Sequence, residues 1–250
     1  MREKQPTWAI VLKLFVGDRA GKILIYQQGD GWRIQSGKDV KLIGCRAWNN
    51  LDDGYDLVWA EDPIVLIESW AAFSGRDDAA GTITGVAGFE AAWGEGIKLG
   101  YGDDLGRHMA IRCLSWSNVH LGYRMDGGPN QIVNSASFDN GRRALGWDLG
   151  SRRHILRNNL DVQTFRDSTI PPTTSSEHNT WDVATGVTVT AADFQSVDDA
   201  GLLGPRGVDG SIPRTAFLRL APGSDLLDAG TDLGLVFGGS APDLGCFEAF

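Results

Sequence analysis

The chain has 250 residues, a net charge of −9 and a pI of about 4.9, which suits one large domain with a sizeable core and argues against a nucleic-acid face. Its 33 glycines among 42% hydrophobic residues favour short strands and tight turns over long helices. Three cysteines at long spacing (Cys45, Cys113 and Cys246) give neither a disulfide framework nor a paired-cysteine metal site.

Residues 1–28 come first. The apolar run from Trp8 to Val16 is broken by Lys13, is too short to span a membrane and is followed by no small-residue cleavage site. It reads as an N-terminal segment that could supply part of a first coil, with no membrane partner expected. Residues 29–215 then carry a repeat, and residues 216–250 form a tail of the same domain.

The repeat is Gly, a large apolar residue, any residue, then an aliphatic one. It occurs at Gly31-Trp32-Arg33-Ile34, Gly54-Tyr55-Asp56-Leu57, Gly96-Ile97-Lys98-Leu99, Gly122-Tyr123-Arg124-Met125 and Gly146-Trp147-Asp148-Leu149, with glycines 23, 42, 26 and 24 residues apart. About a dozen residues after most of these glycines lies a second alternating stretch, as in Ile43-Gly44-Cys45-Arg46-Ala47-Trp48 and Ile111-Arg112-Cys113-Leu114-Ser115-Trp116. Ile43, Cys45 and Ala47 point one way and Gly44, Arg46 and Trp48 the other. Cys45 and Cys113 share a phase at which small core residues belong, so both are expected as buried thiols. Asn50, Asn118 and Asn140 follow at equivalent turns, where Asn side chains can form a ladder and tolerate left-handed backbone.

Repeats of this period with two or three short strands each read as an all-β solenoid, a parallel β-helix. A β-sandwich is the rival, but it does not need the same residue type at the same phase. Residues 74–94 make the long interval 18 residues longer than the 24-residue one and should leave the coil as a loop. Beyond Asn159 the repeat fades, and the tail is expected to pack on the stack and cover an open edge.

Stacking puts the third positions in one column: Arg33, Asp56, Lys98, Arg124 and Asp148. At the turn Asn49-Asn50-Leu51-Asp52-Asp53-Gly54-Tyr55-Asp56, three carboxylates fall in five positions. Asp30 precedes Gly31 as Asp53 precedes Gly54, so it should lie one rung from Asp53, about 4.8 Å away. Four converging carboxylates repel one another unless a hard cation such as Ca²⁺ shares them. An EF-hand is excluded by spacing.

Lys98 has the phase of Asp56 one rung on. A cation held at Asp56, with Arg124 on the other side, would disfavour its ammonium form and make it a general base. A metal beside a uronate carboxylate and a neutral amine beside its α-proton are the two requirements of β-elimination from a uronic acid polymer. Arg124 could grip a substrate carboxylate bidentately. Arg33 and Asp148 read as surface charges, and Trp59, Trp93 and Tyr101 lie close enough to stack on sugar rings.

Three segments resemble polysaccharide lyase family 9: residues 44–57, Gly96-Ile97-Lys98-Leu99-Gly100 and Ser240-Ala241-Pro242-Asp243-Leu244-Gly245. The resemblance implies a right-handed parallel β-helix pectate lyase, secreted, acting on an acidic polysaccharide. It implies that Asp30, Asp52, Asp53 and Asp56 hold a catalytic Ca²⁺ and that Lys98 abstracts the proton. Three departures stand out: few residues precede Asp30, Tyr123-Arg124-Met125-Asp126-Gly127 replaces the family's Phe-Asp-Gln-Asn-Asn, and the insertion before Lys98 differs. Two other functions remain open at this point: a carbohydrate-binding or structural β-helix without turnover, and a glycoside hydrolase on the same fold, for which Lys98 would have no role.

Overall fold

The structure is a computed structural model and describes residues 13–15, 29–60, 62–75, 94–102, 106–147, 153–162 and 170–250. Its strands form three sheets. The first contains Val40–Ile43, Ile64–Ile67, Met109–Ile111, Gln131–Val133, Ile155–Arg157 and Ser175–Glu177 in parallel, with Lys13–Phe15 antiparallel on the Val40–Ile43 edge. The second contains Arg46–Trp48, Trp70–Ala72, Leu114–Trp116, Ala136–Phe138 and Leu160–Val162. The third contains Trp32–Arg33, Tyr55–Asp56, Ile97–Leu99, Leu121–Met125 and Arg143–Trp147. Each coil visits the third, first and second sheets in turn and then climbs one rung. Strands pair in parallel with their counterparts one coil away, so the expected parallel β-helix forms and the sandwich is excluded.

The interior follows from alternation along each strand. Trp32, Tyr55, Ile97, Tyr123 and Leu145 stack in register inside the third sheet, while Lys98 lies between buried Ile97 and Leu99 and points outward. Cys45 and Cys113 are buried free thiols, as their phase indicates.

The corners depend on side chains that serve the neighbouring coil. After each parallel first-sheet strand the chain turns at one left-handed residue: Gly44, Glu68, Arg112, Asn134, Asn158 and His178. The next residue accepts a backbone N–H from the preceding coil: Ser135 Oγ from Cys113 at 3.1 Å, Asn159 Oδ1 from Ser135 at 3.0 Å, and Asn179 Oδ1 from Asn159 at 2.9 Å. At the following corner Asn118 Oδ1 accepts from Ser74 N–H at 3.0 Å and Asn140 Oδ1 from Asn118 N–H at 3.1 Å. The predicted asparagine ladder therefore forms at Asn118 and Asn140, whereas Asn50 Nδ2 is buried without a hydrogen-bond partner, and its members are not the left-handed residues. Asn49, Phe73, Ser117 and Asp139, one position earlier, take the positive φ. The corner bends there, which frees the asparagine to turn its side chain inward.

The repeat glycine makes room for this ladder. A Cβ on Gly96 would lie 2.0 Å from Ser115 Oγ and 2.6 Å from Asn118 Nδ2. In the fifth coil the register corrects the sequence reading: Tyr123 pairs with Leu145, and Arg124 pairs with Gly146. The stretch from Gly146 is two residues out of phase with the other four. Gly146 therefore takes the column position opposite Arg124, and Asp148 lies outside the described residues.

The outer face of the second sheet is not solvated. Trp48, Trp70, Trp116 and Phe138 form a second core with Phe194, Leu202, Phe217, Leu218, Leu220, Leu226 and Leu244 of the C-terminal part. Trp70 meets Trp116 edge-on at 6.0 Å, and Phe138 meets Phe217 at 5.0 Å. Arg46 Nη1 donates to the carbonyls of Leu202 and Gly204 at 3.0 and 2.9 Å, pinning the covering segment. Replacing Trp116 by alanine is expected to cost about 3–5 kcal/mol, the usual range for a buried aromatic, read as a fall in the denaturant midpoint. A loss under about 1 kcal/mol would show that the covering segment is not part of the cooperative unit. Among the described residues, no helix is long and apolar enough to cross a membrane.

Candidate functional site

The third sheet presents Arg33, Asp56, Lys98 and Arg124 on one outer face, in register on successive rungs. Beside them runs a second column, the residue before each of the first three repeat glycines: Asp30, Asp53 and Glu95. The Asp53 N–H donates to Asp30 Oδ1 at 3.1 Å and the Glu95 N–H to Asp53 Oδ1 at 2.9 Å. Each buried carboxylate is thus anchored by the coil that follows it. The Gly31 and Gly54 turns set this spacing, since Gly54 N–H donates to Glu95 O and Gly31 N–H to Asp53 O, both at 2.9 Å.

Asp30, Asp53 and Asp56 each bring one carboxylate oxygen within 4.8 Å of the other two, and all three are buried. Asp52 is half-buried at the rim. Its charge helps to raise the pKa of each of the three, but it stands outside that tight triad. Burial pushes Asp30 up to about 7, with the charges of Asp56 and Asp52 adding to it. Burial likewise raises Asp53 and Asp56. Asp53 also faces Glu95, and of the two it is Asp53 that rises. Burial alone would raise Glu95 too, but hydrogen bonds from His120 and Asp53 and the charge of Arg124 hold it well below the ordinary value.

Two cations enter the triad. Arg33 lies 3.6 Å from Asp30 and 3.5 Å from Asp56; Lys98 Nζ lies 3.4 Å from Asp53 and 3.6 Å from Asp56. Burial acts to lower the Lys98 pKa, but Asp53, Asp56 and Glu95 override it and hold Lys98 above its ordinary value. That is opposite to the direction expected beside a bound cation. The expected lowering requires charge-compensated carboxylates; uncompensated, they raise Lys98, while the Arg124 charge does lower it, as expected.

The donor set fits a hard divalent cation. Three buried carboxylates converge, and Asp30 Oδ2 is buried with no hydrogen-bond donor, 3.6 Å from Arg33 Nη1. Arg124 is engaged elsewhere. Its Nη1 is 3.2 Å from Glu95 Oε1, and its Nε donates to Asp126. Trp59 and Tyr101, 56% and 48% exposed, flank the site, with Arg33 against the first ring and Lys98 against the second. Trp93 lies outside the described residues. So does the interior of the insertion, although its ends meet: a Cβ on Gly94 would be 2.7 Å from Gly75 Cα.

Glu95 and Asp126 escaped the sequence reading. The signal for Glu95 was present, because it precedes Gly96 as Asp30 precedes Gly31 and Asp53 precedes Gly54.

The family described as Pel9A-like, right-handed β-helix region, matches residues 17–159. The chain belongs to this family. The resemblance to polysaccharide lyase family 9 is thereby borne out. Pectate lyase L of Dickeya dadantii is 33% identical over 232 residues, covering 88% of this chain and 50% of that protein. Pectate lyase PEL9 of Emericella nidulans is 29% identical over 220 residues, covering 80% and 52%. Among solved structures, pectate lyase Pel9A matches with a TM-score of 0.75 at 31% identity, covering 88% of this chain and 54% of that one. The chain spans about half the length of the relatives it matches.

Proposed function

We propose that this Pel9A-like chain is a Ca²⁺-dependent lyase that cleaves a pectate-like uronic acid polymer by β-elimination, in a secreted setting. The observation that carries the reading is the register Asp56–Lys98–Arg124: an oxygen-only cation site, an amine and a guanidinium on three successive rungs of one rigid sheet. The named pectate lyases that match across most of the chain support it.

Asp30, Asp53 and Asp56 would hold the ion, with Asp52 at the rim. Bound there, Ca²⁺ supplies positive charge to a uronate carboxylate and so stabilises the carbanion that forms next to it. Lys98 acts as general base and takes the proton from C5. The electron pair left behind forms the C4–C5 double bond, the C4–O bond breaks, and the departing sugar oxygen is protonated by water. For this Lys98 must be neutral, which requires its counter-charges at Asp53 and Asp56 to be compensated. Arg124 binds a substrate carboxylate one rung on, and Trp59 and Tyr101 offer ring faces to the sugars at either side.

The test is polygalacturonate with Ca²⁺, followed by the absorbance of unsaturated uronide. The expected result is a rise that a chelator abolishes. New reducing ends without that absorbance, insensitive to chelation, would identify a hydrolase. Polymer binding without product would leave only a binding function.

A further inference from the structure

Arg33 and Arg124 occupy the same repeat phase on opposite sides of the cluster, and their side chains are similarly shielded, 12% and 14% exposed. They behave differently. Arg33 leans into the carboxylate triad and pairs with both Asp30 and Asp56. Arg124 turns away from the triad and pairs with Glu95 and Asp126, both fully buried. Glu95 is itself held firmly. Its N–H is bound to Asp53, and its Oε1 also meets His120 Nδ1 at 3.2 Å. His120 Nε2 is 2.6 Å from Arg142 Nη1. With Nε2 accepting from Arg142, Nδ1 carries the proton that points to Glu95. The result is a braced line, Arg142–His120–Glu95–Arg124–Asp126, running along the Arg124 side of the site.

We propose that Glu95 is a positioning residue that tethers Arg124 and keeps its guanidinium out of the Asp30–Asp53–Asp56 cluster, leaving the cluster available to a divalent cation and Arg124 available to substrate. This rests on the reading of that cluster as a cation site. Released from Glu95, Arg124 would do what Arg33 does and enter the triad as a competing cation.

The test is Ca²⁺ titration by calorimetry on the full chain without substrate, in a double-mutant cycle. Glu95→Asp keeps the charge but withdraws the carboxylate by one methylene, so a purely Coulombic role predicts no change. The tether predicts weaker binding, about fivefold or more. Arg124→Gln alone should change Ca²⁺ affinity less than about twofold, because Arg124 is already held away, yet in the Glu95→Asp background it should restore the lost affinity; coupling of this kind is what contacting residues show. If Glu95→Asp does not fold, the isosteric Glu95→Gln enters the same cycle, and the coupling with Arg124→Gln remains the readout. Additive effects in the cycle would overturn the tether and leave the cation site standing. A wild-type chain that bound no Ca²⁺ at millimolar concentration would overturn the cation site itself, and the tether with it.

Discussion

Lys98→Ala is expected to lower kcat on polygalacturonate about 10³-fold, within the usual range for loss of a general base, with KM changed far less. Lys98→Arg should be as inactive. It preserves the cation, but a guanidinium is not deprotonated at working pH and cannot accept the C5 proton. The pair of variants separates base catalysis from charge placement. If Lys98→Arg kept more than about a tenth of the activity, Lys98 would be acting electrostatically, and the base would have to be sought elsewhere. Both variants should still bind Ca²⁺. Lys98→Ala should bind it somewhat more tightly, since the ammonium now paired with Asp53 and Asp56 is a competitor for their oxygens.

The same ion pairs explain why the sequence could place Lys98 but not its protonation. Phase alone puts Lys98 beside Asp56, because a rigid parallel sheet preserves register over many residues. Its pKa depends on distances and on burial, which spacing does not give, and on Glu95, whose phase before Gly96 is its one signal in the sequence. The insertion hid Glu95. It lengthens one interval and separates this acid from the Asp30–Asp53 column it extends, although the chain closes the gap where Gly75 and Gly94 meet. The opposite error arose at Gly146, where a matching stretch of sequence sits two residues out of phase. The second core was legible only in part, since the tail was expected on the stack but not on this face. Alternation assigns Trp48, Trp116 and Phe138 to the outside of the coil correctly, but nothing local shows that distant residues such as Phe217 and Leu244 will cover them.

Asp53→Asn should remove Ca²⁺ binding while leaving the fold intact. An asparagine Oδ1 can still accept the Glu95 N–H, and the backbone bond to Asp30 is untouched, so what disappears is the charge at the centre of the triad. In the wild-type chain, Ca²⁺ at one hundred times its Kd should add about 2.7 kcal/mol to unfolding; the variant should gain essentially nothing. The pH dependence of that gain is a sharper test. Folding raises Asp30 from 3.8 to about 7, so without added Ca²⁺ the folded chain holds a proton that the unfolded chain has released. That contribution to stability is complete below pH 3.8 and is lost as pH rises through 7. Calcium competes with this proton, and the stabilisation it adds should therefore grow from pH 5 to pH 8. His108 and His154 titrate in the opposite sense. Burial lowers both from 6.5 to about 4, so their contribution is lost as pH falls from 6.5 toward 4. They lie in the first-sheet column, away from the triad, and affect calcium-loaded and chelated protein alike. The difference between melting curves in Ca²⁺ and in chelator therefore isolates the carboxylates. A difference that stayed constant from pH 5 to 8 would show that the ion does not displace a proton from Asp30, and a difference that survived Asp53→Asn would move the ion away from the triad.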